Sequence, residues 1–122
     1  MAKSRKNSTR EERIENEIVV DAYGPEERAM SWYLYLEDRL HFPFRAISTT
    51  SKVVSPLKKR ETVEVLRLAP EETCTDDMLV LIRWQDRKVA VPLSQLTPID
   101  ENESTDQAIA HWQYWVAQGY LF

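Results

Sequence analysis

The sequence predicts an α+β fold, a small antiparallel SH3-like barrel or curled sheet flanked by N-terminal helices and a C-terminal helix. Three observations carry this expectation. Met78–Leu96, MLVLIRWQDRKVAVPLSQL, reads as a hairpin, because branched and aromatic residues flank the polar turn Gln85-Asp86-Arg87-Lys88. Two further strand-like runs, Phe44–Ser48 and Thr62–Leu68, precede it with no helical pattern between them, so the strands pair as an antiparallel sheet. Helical spacing is confined to the stretches before His41 and after Glu103. A lone hairpin is marginal in water, so those flanking elements must cover the apolar face of the sheet.

Residues 1–9, MAKSRKNST, hold nothing to bury and are expected to form a mobile basic tail, with 10–122 forming one domain. Ser8 or Thr9 can cap a first helix whose early acids are Glu11 and Glu12, and Ile14, Ile18 and Ala22, with Val19, make its apolar stripe. Gly24-Pro25 breaks this helix and starts the next, with Pro25 suited to a first helical position. Ala29, Trp32, Tyr33, Leu36 and Leu40 recur at helical steps until Phe42, which precedes Pro43 and is pushed out of the helical region. Thr49 to Arg60 is a long connection with a basic end, and Pro70–Asp77 is an acidic loop. Pro92 closes the last strand, since proline has no amide hydrogen to give to a central ladder. In the C-terminal helix Ser104-Thr105-Asp106-Gln107 fits a capping box, Ala108, Ile109, Trp112, Trp115 and Val116 form the buried face, and Gly119 ends it.

A chain of 122 residues with 43% hydrophobic and 30% charged residues can build a core of ordinary globular kind. Four tryptophans, each burying on the order of 150–250 Å², make that core aromatic. No apolar run is long enough for a membrane span, and the basic start lacks the apolar stretch of a signal peptide, so the protein is expected in the cytoplasm. A single cysteine, Cys74, agrees with a reducing compartment, and carboxylates around it argue against thiolate chemistry. There is no glycine-rich phosphate loop, since Gly24 and Gly119 are the only glycines. Two histidines, His41 and His111, are too few for a histidine-rich metal centre, and no nucleophile and base can be paired by spacing. The chain is therefore not expected to be an enzyme.

Net charge is only −4, but acids cluster. Hard divalent cations such as calcium take six to eight oxygens from carboxylates, carbonyls and water. Three places supply them: Glu37-Asp38 at the end of the second helix, where the dipole disfavours acids; Glu71-Glu72 with Asp76-Asp77 in one loop; and Asp100-Glu101 with Glu103. None has the twelve-residue spacing or the central glycine of an EF-hand.

The stretches AMSWYLYLEDRLHFPFRA, ETVEVLRLA, MLVLIRWQDRKVAVPLSQL and AIAHWQYWVAQGY make the chain resemble the cyanobacterial calcium-binding family CcbP, associated with heterocyst differentiation. The resemblance implies a soluble, non-EF-hand protein that buffers calcium on an acidic surface. Carried over by position, Asp38 in YLEDRLHFPF is the first expected ligand; Glu72, Asp76 and Asp77 follow by charge. The expected function is thus a cytoplasmic calcium buffer or sensor acting through surface carboxylates and turn carbonyls. The alternative is an SH3-like interaction module that presents Trp84 or Tyr35 to a protein partner. Nucleic-acid binding through the basic tail and Lys58-Lys59-Arg60 ranks lowest for an acidic chain, and no membrane partner is expected.

Overall fold

The computed structural model describes residues 8–49 and 56–119. The tail expected over 1–9 lies outside the described residues except for Ser8 and Thr9, which open the first helix, and so does the middle of the Thr49–Arg60 connection. Helix α1, Ser8–Arg13, widens into a π-helical turn over Ile14–Ile18, closed by the Val19 amide on the Ile14 carbonyl at 3.0 Å. Ile14 and Ile18 are buried as expected, but the helix stops before Ala22, because Asp21 takes a left-handed turn with φ 62°. Helix α2, Pro25–Arg39, begins with Pro25 directly after an extended Gly24 and buries Ala29, Trp32, Tyr33, Tyr35 and Leu36.

Strands β1 (Phe44–Ser48), β2 (Thr62–Leu68), β3 (Leu79–Trp84), β4 (Arg87–Pro92) and β5 (Leu96–Pro98) form one antiparallel sheet in the order β4-β3-β2-β1-β5. The α+β expectation holds, with an open sheet in place of a closed barrel. Its edge strands, β4 and β5, do not pair with each other, and each carries a proline, Pro92 or Pro98, that withholds an amide from further pairing. Pro92 thus belongs to a strand after all, opposite Leu79, because that strand is an edge. The hairpin turn is shorter than the sequence suggests: Gln85 and Asp86 alone make it, at φ 50° and 62°, the backbone that matches the twist of paired strands. In β2 a bulge at Leu66 breaks the alternation, so Val63 and Val65 face the core and so does Leu68, three residues on. One row of the ladder, Phe44–Val65–Ile82–Val89, runs across four strands beneath the helices.

Helix α3, Glu103–Ala117, starts one residue before the expected capping box. Asn102 is the cap, its side chain accepting from the Thr105 amide at 2.9 Å. Ser104 therefore lies inside the helix and donates its hydroxyl to the Arg39 carbonyl at 2.8 Å, while Gln107 accepts from Arg13 at 3.3 Å. Gly119 follows the helix in the left-handed region at φ 78°, as its position predicts.

Trp32, fully buried, meets Trp112 at 5.0 Å, Trp115 at 5.6 Å and Tyr35 at 6.0 Å and locks α2 to α3. Beside this cluster Arg10 reaches in from α1 and donates to Nδ1 of buried His111 at 2.8 Å, so the imidazole is neutral with its proton on Nε2. Burial first, then the nearby Arg10 and Arg13 charges, depress its pKa to about 4, with Glu17 opposing and Arg39 assisting.

Two outcomes follow from this packing. The unfolded histidine, near pH 6.5, takes up its proton before the folded one at about pH 4, so this contribution to stability is complete above pH 6.5 and is lost as pH falls between those values. Urea unfolding across that range measures the loss, and His111→Gln flattens it. Replacing Asn102 with Ala costs about 1 kcal/mol in the same assay, and Ser104→Ala leaves the helix cap intact.

Candidate carboxylate site

The acidic loop is held rather than slack. Its base is closed by the Ala69 amide on the Leu79 carbonyl at 3.0 Å, and Glu71–Thr73 forms a single 3-10 turn with the Cys74 amide on the Glu71 carbonyl at 3.0 Å. Cys74 is buried at the core edge, with its thiol directed at the Ala69 and Leu79 carbonyls. Burial is the main reason its pKa is raised, and the Asp77 and Glu72 charges that the sequence reading emphasised come after it. From the other side Tyr33 of α2 donates its phenol to the Ala69 carbonyl at 2.8 Å. Burial raises the Tyr33 pKa, and Cys74, Glu37, Glu71 and Glu72 add to the shift, so this seam is electronegative.

Between the first half of α2 and the loop lies a cleft of about 590 Å³ lined by Pro25, Glu26, Ala29, Met30, Tyr33, Glu71, Glu72, Cys74, Thr75 and Asp76. Among the described residues four carboxylates and no cationic side chain line it. Two predicted ligands, Glu72 and Asp76, sit here, whereas Asp77 is half-buried and does not line the cleft. Glu26, which reads in the sequence as a helix-start acid only, faces the loop because it shares a helical face with Ala29, Met30 and Tyr33. A Pro-Glu helix start followed by a tyrosine seven residues on was the available signal, but nothing in the sequence says which loop that face meets.

Asp38 stands apart, about 18 Å along the axis of α2 from Glu26. Its side chain is 79% exposed, with the Arg39 Nε at 3.4 Å. The helix end beneath it is clamped to α3, since Ser104 occupies the Arg39 carbonyl and the His41 amide donates to Thr105 Oγ1 at 2.9 Å. The third acidic cluster has a structural role instead. Asp100 accepts from the Arg45 amide at 2.8 Å and from its guanidinium at 2.9 Å, hydrogen bonds that hold its pKa below the usual carboxylate range and join β1 to the chain after β5.

Among the described residues no three histidine, cysteine or carboxylate side chains converge into a preassembled metal centre. The donor set fits a hard cation nonetheless: the cleft and the α2 end offer carboxylate and carbonyl oxygens, and the Cys74 thiol is buried against carbonyls. Flexible calcium coordination tolerates carboxylates that rotate into place, which octahedral magnesium does less readily. Of the two anchors named for the interaction-module alternative, Tyr35 is lost to the core and Trp84 is half-buried. Trp84 packs against the core, and Tyr23 is the large exposed aromatic among the described residues.

The fold and its exposed oxygen donors are compatible with a calcium-binding protein that has no EF-hand loop, and comparison gives the family. The calcium-binding family model of CcbP matches residues 12–116, so the chain belongs to that family. It is similar to the crystal structure of CcbP from Anabaena at 44% identity, with all of each chain covered and a TM-score of 0.87. It is equally similar to a calcium-binding protein solved in its calcium-binding form, at 43% identity, again over the whole of both chains, with a TM-score of 0.86. Comparison with curated protein sequences gives no match. Among the described residues no helix is long and apolar enough to cross a membrane.

Tyr33→Phe removes the hydrogen bond that ties the loop to α2 and is expected to cost about 1 kcal/mol, read as a lower urea midpoint with an unchanged slope.

Proposed function

We propose that this chain is a cytoplasmic calcium buffer whose first ligand is Asp38 and whose weaker capacity comes from the acidic loop. The observation that carries this reading is the clamped helix end: an exposed carboxylate sits where the last turn's carbonyl dipoles gather negative charge, and α3 holds that turn rigid. A bound cation there offsets the unfavourable pairing of acid and helix terminus. Asp38 supplies the charge, and carbonyls of the α2 end and of the His41-Phe42 turn complete an oxygen shell with water. Glu72 and Asp76 provide a second position on the cleft rim, which Asp77 assists from the base of the loop.

Buffering is favoured over sensing because the supporting elements are already tied down. Tyr33 anchors the loop to α2, and aromatic packing locks α2 to α3, which leaves side-chain rotation as the adjustment that binding asks for. Similarity to a relative in its calcium-binding form, at a TM-score of 0.86, supports the same view. Open sites of this kind belong to the weaker part of the range of about 10⁻⁹ to 10⁻³ M seen for calcium proteins.

Calorimetric titration of the metal-stripped protein with calcium in excess magnesium tests the proposal. Asp38→Ala is expected to abolish the tighter phase with little change in stability, since its ion pair is exposed. Glu72→Gln with Asp76→Asn removes the weaker phase. Absence of both heat and a calcium-induced rise in melting temperature sinks the reading; binding retained in Asp38→Ala moves the first site to the loop.

A further inference from the structure

We infer that the cleft between α2 and the acidic loop is a docking site for a short basic peptide segment carrying apolar side chains. Carboxylates alone would make it a counterion surface. What sets it apart is that Glu26, Glu71, Glu72 and Asp76 rim a concavity whose floor is Ala29, Met30, Tyr33 and Pro25. Met30 is 38% exposed, and Leu34, one turn further along the same face of α2, is 55% exposed, so the apolar floor runs out of the cleft along the helix. A volume of about 590 Å³ lies within the range of roughly 300–1,000 Å³ typical of ligand pockets.

The charge selects the occupant. Among the described residues no lysine, arginine or histidine lines the cleft, and none of its four carboxylates has an ion-pair partner. Some acids elsewhere are matched within the chain: Glu64 by Arg83, Asp100 by Arg45, Glu17 by Arg13. The rim differs from other unmatched acids in gathering four carboxylates around one partly apolar concavity. A second copy of this chain would bring a net charge of −4 to an acidic face and is repelled. A simple inorganic cation leaves Met30 and Leu34 uncovered. Lysine or arginine residues flanking a leucine answer both features, with ammonium or guanidinium groups on the rim and the apolar side chain over Met30. Glu72 and Asp76 serve in both this docking and the proposed weaker calcium position, so calcium and peptide compete; that coupling, unlike the docking itself, rests on the calcium reading.

The test is fluorescence anisotropy of a labelled Lys-Arg-Leu-Leu-Arg-Lys peptide against the full chain, with calcium removed by a chelator. Saturable binding that weakens as salt is raised is expected. Affinity should fall about tenfold or more in Glu71→Gln/Glu72→Gln/Asp76→Asn and, separately, in Met30→Gln, with circular dichroism confirming that both variants are folded. A peptide with glycine in place of leucine should bind no better to the wild type than the leucine peptide binds to Met30→Gln. No saturable binding overturns the proposal, as does binding that ignores the rim substitutions or the Met30 substitution. Adding calcium separates the two readings. Release of the peptide supports shared use of Glu72 and Asp76, whereas a peptide undisturbed by saturating calcium overturns the shared use and leaves the docking in place.

Discussion

Trp32 is the side chain on which the arrangement depends. It is wholly buried where α2 crosses α3, and its contacts with Trp112, Trp115 and Tyr35 set the relation of the two helices. Close-packed aromatic rings resist small displacements, because each lost contact leaves a void with no partner atoms. That rigidity reaches both acidic regions. At one end of α2 it brings Ser104 and Thr105 against the Arg39 carbonyl and the His41 amide, beneath Asp38. Along the same helix it presents Tyr33 to the Ala69 carbonyl and so places the loop acids.

The polar groups within this core show what stability has been traded for order. His111 is held neutral by burial and by Arg10, and its Nε2 proton has no hydrogen-bond partner among the described residues, as is also true of the Trp32 indole nitrogen. Unpartnered buried donors are destabilising, so the aromatic cluster must offset them by packing. The exposed acids carry no such demand. Asp38 and the loop carboxylates remain in water, where their charge costs the fold little and stays accessible to a cation.

Much of the fold was legible because short-range chemistry governed it. Pro25 after Gly24 starts α2, Gly119 follows α3, and the apolar run Leu79–Trp84 is a strand. The misreadings have equally definite causes. β5 escaped notice because three residues ending in Pro98 carry no periodicity; it exists through pairing with β1. Ser104 fitted a capping box, but Asn102 captured the helix start, and Ser104 was drawn to Arg39 across a distance in sequence that no local rule sees. The bulge at Leu66 turned Leu68 inward, out of the strict two-residue period of a strand. Asp100 read as a free acid until Arg45 met it from β1.

By itself the sequence determined the element types, the aromatic weight of the core, the absence of phosphate-loop and zinc patterns, and the family through its aromatic motifs. These depend on residue identity and near-neighbour spacing, which a linear chain displays. Only the tertiary structure decided which acids stand together. Glu26 joins Glu72 and Asp76 across a cleft that Asp77 does not line, Asp38 stands at the far end of α2 beside Arg39, and Asp100 is taken by an arginine. Those outcomes depend on which faces of α2, β1 and the loop meet. That choice is made by burial of the apolar faces, while the carboxylates, most of them in water, follow where their backbones are carried.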